Sequence, residues 1–473
     1  MENGELKMDN RASNGMKFRY RTNEEMKESG VEWLGKIPNE WLILKLRNLG
    51  NISTSSVDKK IEEKDKIVKL VNYVDIYNSK TKEIYNNSDY MKVSAKEKQI
   101  ETCDLIKGDV LFTPSSETIN DIGYSAVVME DLDNTLYSYH IVRLRFNRDI
   151  YLNFKKYMFW SNSFLNYLSS RATGTTRKTL SLNDFKENKV VIPLKEEQEK
   201  IAKFLDIKTA EFDSIISKKE ALIKKLEEAK KSLISEVVTG KVKVIKTEEG
   251  YQLIKRKKEE MKDSGVEWLG DIPKNWDINR LKYVGEAITG LTYSPKDIVN
   301  ENEGVLVLRS SNVKNGKIVL QDNVYVNMNI PNKLVTKKGD IIICSRNGSR
   351  SLIGKNACIR EENEGVSFGA FMTIFRSKHY EYLNFVFNSE IFKAQAGSFL
   401  TSTINQLTIG NLNSFIIPVP NFEDQNNIIE YLKQKVEKYE NILDSISNQI
   451  EKIKLAKQSL ISEAVTGKIE VLD

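Results

Sequence analysis

Apolar residues recur at steps of four and three along one stretch of the chain: Ile201, Leu205, Phe212, Ile215, Leu222, Leu226, Ala229 and Leu233, with charged residues between them. The same stripe returns at Ile428, Leu432, Tyr439, Ile442, Ile446, Ile453, Ala456 and Leu460. A sustained 3.5-residue repeat predicts coiled-coil helices. We place them over 196–240 and 423–467. About 40 residues at 1.5 Å each give a rod of about 60 Å. Lys208 and Lys435 interrupt both stripes at the same place, where a polar residue fixes register at some cost in stability. Gly240 and Gly467, each followed by Lys, predict helix C-caps. The two stripes can bury each other. Repeat symmetry predicts an antiparallel pair about an approximate two-fold axis, with one head at each end. Tandem packing without a two-fold, and a zipper formed with a second chain, are the alternatives.

Ahead of each helix the pattern changes to short apolar runs between turn residues. Val190–Pro193, Val305–Leu308 and Asp340–Cys344 read as strands; 151–168 and 380–395 read as helices. The fold class is therefore α/β: two mixed α/β domains, over 26–195 and 261–422, separated by two long helices. Residues 1–25 are polar and aperiodic and predict a loose tail. A basic linker is expected over 241–260 and a short tail over 468–473.

The organisation is a duplication. Lys27-Glu28-Ser29-Gly30-Val31-Glu32-Trp33-Leu34-Gly35, ending at Trp41, returns as Lys262-Asp263-Ser264-Gly265-Val266-Glu267-Trp268-Leu269-Gly270, ending at Trp276. Leu233-Ile234-Ser235-Glu236 through Gly240-Lys241 returns as Leu460-Ile461-Ser462-Glu463 through Gly467-Lys468. Between these blocks the copies diverge. Even there, Gly108-Asp109 matches Gly339-Asp340, and Gly123 matches Gly354 at the same distance downstream. One scaffold thus carries different loops, and loops carry recognition. Trp33, Trp41, Trp268 and Trp276 are expected to seal the junction between each domain and the rod.

The chain has 473 residues and a net charge of +6, which permits nucleic-acid binding without proving it. Cys103, Cys344 and Cys358 lack Cys-x-x-Cys spacing, and only His140 and His379 could join them, which argues against a zinc site. Few cysteines and no secretory start point to a reducing cytoplasm. No apolar run approaches the roughly 20 residues of a membrane span. No phosphate-binding loop, nucleophile elbow, metalloprotease pair or methyltransferase signature occurs. No histidine sits at matching positions of the two copies, so histidine acid–base chemistry is not indicated.

The hydroxyl-rich and basic loops are the candidates for DNA contact. In the first copy they hold Ser115, Ser116, Thr118 and Asn120, then Arg171, Thr175, Thr176, Arg177 and Lys178. In the second they hold Arg346, Asn347, Ser349 and Arg350, then Thr401, Ser402, Thr403 and Asn405. Small hydroxyl residues and glycine allow close approach to phosphates, and Arg, Asn and Gln can bond base edges bidentately. The competing reading is solvated loops with ordinary turn chemistry. Lys255-Arg256-Lys257-Lys258 reads as part of a solvated linker.

Residues 26–470 resemble the specificity subunit of type I restriction–modification systems. Val31-Glu32-Trp33-Leu34-Gly35-x-Ile37-Pro38-x-x-Trp41 and its copy carry the resemblance. So do Gly-Asp followed by two apolar residues in mid-domain, Ile192-Pro193-Leu194 with Glu197-Gln198 and Ile201, and the Leu-Ile-Ser-Glu-x-Val-Thr-Gly-Lys blocks. The second copy has Asp424-Gln425 for Glu197-Gln198, keeping an acid followed by Gln. The resemblance implies two target-recognition domains, each reading one half of a split DNA site, with the helices setting the unread gap. It implies a non-catalytic chain without its own cofactor. Two methyltransferase subunits would bring S-adenosylmethionine, and restriction subunits would bring ATP and Mg. A self-contained enzyme acting on DNA and a scaffold whose divergent domains bind proteins are the competing readings.

Overall fold

A computed structural model describes residues 16–399 and 405–472. The chain divides into two units, Met1–Lys219 with Asn448–Asp473, and Glu220–Ser447. The division runs through both long helices, Lys195–Val238 and Phe422–Val465. Each unit holds part of both.

The two units share one topology despite their divergent sequences. In the first, a sheet runs in the order Gly50–Thr54, Val142–Phe146, Val110–Phe112, Ser125–Val128, Glu83–Ile84. In the second, the order Glu286–Thr289, Met372–Arg376, Ile341–Cys344, Asn356–Cys358 repeats its first four strands. Where single helices are expected over 151–168 and 380–395, each unit has two: Leu152–Met158 and Asn162–Arg171, and Tyr380–Phe387 and Glu390–Ser398. The breaks have a local cause. Ser161 N-caps its helix by accepting from Phe164 N, and Ser389 occupies the same place.

The repeated blocks form the frame around these domains. Leu42–Lys45 pairs with Lys189–Ile192, and Asp277–Arg280 with Ile416–Val419, so each interior is joined to its frame through one two-stranded neck. Met26–Glu28 pairs with Lys36–Pro38, and Met261–Asp263 with Asp271–Pro273. Both long helices end alike. Lys241 N bonds Glu236 O and Gly240 N bonds Val237 O; Lys468 N bonds Glu463 O and Gly467 N bonds Ala464 O. This 6→1 and 5→2 pair is the Schellman motif, with the glycine at positive φ, as the C-cap expectation required. The repeated serine also has a role. Ser462 Oγ accepts from Asn162 N at 3.1 Å, and Ser235 Oγ accepts from Glu390 N at 3.0 Å, each capping a domain helix.

Within the first unit the long helices run antiparallel. Asp213 pairs with Lys457 at 2.6 Å, and Lys219, further along, bonds Gln449 at 2.6 Å. In the second unit Lys230 lies 3.9 Å from Glu440, while Val237 and Val238 join Ile428 and Leu432 in the core. Ile201, Leu205, Leu432, Ile428, Ile446 and Leu460 are buried as expected; Phe212, Leu226, Leu233, Tyr439 and Ile453 are half-buried. Mid-helix the expected stripe is wrong by one residue. Ile215, Leu222 and Ile442 are exposed, and Ile216, Ile223 and Leu443 face inward instead. Ile450, outside the expected stripe, is buried. An unbroken four-three alternation from Phe212 passes through 216, 219, 223 and 226; placing Lys219 in the seam is what the apolar pattern alone does not suggest. Lys208 is largely covered and pairs with Glu211 at 2.9 Å.

The flanking segments correct the sequence reading. Lys17–Tyr20, within the expected tail, pairs with Ile469–Leu472, the other expected tail. The expected basic linker is the hairpin Val242–Thr247 with Gly250–Lys255. Arg256 is not solvated but buried, and it pairs with Asp424 at 3.4 Å. The four tryptophans divide. Trp41 and Trp276 are fully buried; Trp33 and Trp268 are half exposed, with Trp33 against the Tyr167 ring at 5.3 Å.

A Cβ on Gly467 would lie 2.4 Å from Pro38 and 3.0 Å from Trp41, whereas one on Gly30 would meet nothing within 4 Å. Both residues have positive φ. Gly30→Ala is therefore expected to cost about 1–2 kcal/mol of backbone strain alone. Gly467→Ala adds a clash, for about 2–4 kcal/mol in all. Urea unfolding of the two variants checks this, and equal midpoints would remove the helix-end seat from the account.

Candidate nucleic-acid interface

In each unit the middle loop and the late loop, far apart in sequence, are hydrogen-bonded to one another. In the first, Ser115–Ser116 pairs antiparallel with Lys178–Thr179, and Leu180 N bonds Pro114 O. In the second, Arg346 bridges Gln406, and Leu407 N bonds Ser345 O. The positions are equivalent. Ser115 and Arg346 each stand six residues after the Gly-Asp aspartate, and Thr179 and Gln406 each stand two before the capping residue Ser181 or Thr408.

That aspartate anchors the site without touching it. Asp109 and Asp340 are buried, and each accepts two bonds from an arginine on the adjacent strand. Arg145 reaches Asp109 at 3.0 and 2.7 Å, and Arg376 reaches Asp340 at 2.8 and 2.7 Å. These bonds raise the pKa of both guanidiniums. Each carboxylate also caps its own turn through Ile106 N or Lys337 N. The duplicated Gly-Asp is thus a structural device that aims the following loop.

In the first unit, Ser115 and Ser116 are buried rather than presented. Ser115 Oγ accepts from Arg177 Nε at 3.1 Å, and Ser116 Oγ accepts from Thr118 N at 3.2 Å. They organise the loop from within. Thr118 Oγ1 donates to Asp121 at 2.7 Å, and Asn120 is exposed in the turn Ile119–Asp121. Thr175, Thr176 and Arg177 are exposed at the tip of the late loop. Lys178 folds back onto Gly174 O, and Arg171 lies over the Tyr167 ring at the end of its helix.

Sequence reasoning missed the rings beside this loop. Tyr73 stacks on Tyr77 at 5.5 Å, Tyr77 on Tyr124 at 5.6 Å, and Tyr124 meets Trp160 at 4.7 Å. Arg177 lies over Tyr73 at 5.8 Å, and Lys82 over Trp160 at 3.6 Å. Burial pushes the Tyr73 and Tyr77 hydroxyls up, and burial beside Asp121 does the same to Tyr124. The i, i+4 spacing of Tyr73 and Tyr77 was the available signal.

In the second unit, Arg346, Asn347 and Asn405 line an open groove of about 1390 Å³, with Gln406, Phe371, Tyr293 and Arg309. Asn347 Nδ2 donates to Ser310 Oγ at 3.0 Å, and Asn405 Nδ2 to Gly348 O at 3.2 Å. The Arg346 guanidinium lies over the Phe371 ring at 5.1 Å. Ser349 is exposed and bonds Ser351 at 2.9 Å, while Arg350 reaches Gly397 O at 3.4 Å. Thr401, Ser402 and Thr403 lie outside the described residues. Among the described residues, no group of three or more His, Cys, Asp or Glu could hold a metal ion. No described helix is long and apolar enough to cross a membrane.

The family described as type I restriction modification DNA specificity domain matches residues 38–227 and again 273–452. The chain belongs to this family. The type I restriction enzyme MjaVIII specificity subunit of Methanocaldococcus jannaschii is 28% identical over 329 residues, which are 67% of this chain and 70% of that protein. A putative MjaX specificity subunit from the same organism is 24% identical over 453 residues, 93% of this chain and 96% of that one. In the solved structures, a chain from work on complex assembly and conformational transition of the type I restriction–modification system matches with TM-score 0.62. It is 17% identical over 91% of this chain and 99% of its own, and the likeness is one of fold. The two family matches coincide with the duplication, each spanning one divergent interior and much of the helix after it.

Asp340→Ala leaves Arg376 without its carboxylate inside the domain. The expected loss is about 2–4 kcal/mol, below the full figure for a buried pair because Arg376 keeps some solvent. Denaturant unfolding measures it. A loss under 0.5 kcal/mol would show that the pair does not anchor the loop.

Proposed function

We propose that this chain is the DNA-reading subunit of a type I restriction–modification assembly, with each recognition domain reading one half of a split, asymmetric site. The observation that carries this is the equivalent loop junction of the two units, which is built from different side chains: Ser115 with Thr179 in one, Arg346 with Gln406 in the other. One geometry with two chemistries is what two half-sites of unlike sequence require. The long helices set the number of unread base pairs and dock two methyltransferase subunits. The chain itself is non-catalytic. S-adenosylmethionine serves adenine methylation on those partners, and ATP and Mg serve the restriction subunits. The complex works in the cytoplasm, where its DNA is.

Adenine-methylation mapping of DNA exposed to this chain with its methyltransferase subunits tests the proposal. A split motif is expected, bound more weakly as salt rises because phosphate contacts release counterions. Methylation by this chain alone, or no motif from the complex, contradicts it. Removing one heptad from each helix takes out about 10 Å. The gap is then expected to shorten by about three base pairs with both half-sites unchanged; an unchanged gap removes the helices as ruler.

A further inference from the structure

Resting on that reading, we infer that each recognition domain reads one guanine through an arginine supported on an aromatic ring at its loop junction, Arg177 on Tyr73 and Arg346 on Phe371.

The two arginines come from opposite loops. Arg346 belongs to the middle loop of its unit and stands in the bridge itself, while Arg177 belongs to the late loop of the other and directly precedes the bridge residues Lys178 and Thr179. Each guanidinium lies over a ring, at 5.8 Å in the first unit and 5.1 Å in the second. A guanidinium held over a ring with its N–H edge free matches the O6 and N7 acceptors of guanine. Arg177 is further fixed through Nε on Ser115, which leaves its two terminal nitrogens available. Arg346 is fixed from below: its own N–H bonds the carbonyl of Phe371 at 3.0 Å. Among the described residues neither arginine has a carboxylate partner, and both are exposed.

The other arginines near the loops are engaged. Arg350 bonds Gly397 O, Arg309 bonds Asp322 O, and Arg145 is held by Asp104 and Asp109. Arg171 also lies over a ring, Tyr167, but it ends its helix and does not adjoin the bridge residues Lys178 and Thr179. The rings fit the same reading. Phe371 is 57% exposed in the groove, an unfavourable place for a phenyl ring unless the arginine and a ligand cover it.

The test uses the whole complex of this chain with its methyltransferase subunits, and maps methylated motifs for the wild type and for Arg177→Lys and Arg346→Lys. Lysine keeps the charge that a phosphate contact needs and loses the planar fork. Each lysine variant is expected to lose about 10- to 100-fold preference for one G·C pair, in a different half-site for each, with binding to unrelated DNA kept. Replacing that guanine by 7-deazaguanine is expected to weaken the wild type and leave the matching variant unaffected. Phe371→Leu is expected to soften the Arg346 position only. If both lysine variants keep the wild-type base preference everywhere, or both relax the same half, the inference is overturned while the proposed function stands. A wild-type complex with no split motif would instead overturn the function.

Discussion

Each unit depends on an indole that holds the ends of two helices. Trp41 Nε1 donates to Glu197 at 2.6 Å in the first turn of one long helix, while its ring lies where Gly467 closes the other. Trp276 does the same with Asp424, at 2.7 Å, and Gly240. An acid in a first turn also meets the positive end of the helix dipole. Arg21 and Arg256 bond the same two acids, so each carboxylate is satisfied on several sides. A buried indole removes enough apolar surface to be worth roughly 4–5 kcal/mol before entropy. Because the start of one helix and the end of the other share one tryptophan, the pair within each unit can only run antiparallel. The near-verbatim repeat of Ile-Pro-x-x-Trp and Val-Thr-Gly-Lys follows from that contact: the glycine has no room for a side chain, and the proline and indole form the wall it meets.

The recognition domains are freed by this arrangement. Each hangs on a two-stranded neck, Leu42–Lys45 with Lys189–Ile192 or Asp277–Arg280 with Ile416–Val419. Beyond the neck both units keep the buried Asp–Arg pair that aims the middle loop. Everything past it can change, which is how Ser115 and Arg346 come to occupy one position.

Much of this was legible in the chain. Repeats, helix spacing, Gly-Lys caps and the loop positions are local signals, and each has a local physical cause. What failed was non-local. The strands at 17–20 and 469–472 look like tails because each finds its partner at the far end of the sequence. Trp33 and Trp268 share a motif with Trp41 and Trp276, but nothing in the sequence separates the buried pair from the exposed one. The seam slipped at Ile215 because Ile216 is equally apolar, and only the facing helix chooses between them. At the candidate interface the loops were found but not their supports. Tyr73 lies about a hundred residues from Arg177, and Phe371 stands in another loop than Arg346. Ser115 and Ser116, polar and in a loop, read as exposed from the sequence, yet both are buried and bonded within the loop.

The claim that one frame carries two independent readers is tested most directly by exchanging residues 46–188, between the strands of the first neck, for the corresponding interior of a relative. Methylated adenines are then mapped with the assembled complex. One half of the motif is expected to change, with the other half and the gap between them preserved. A change in both halves, or in neither, would contradict the account.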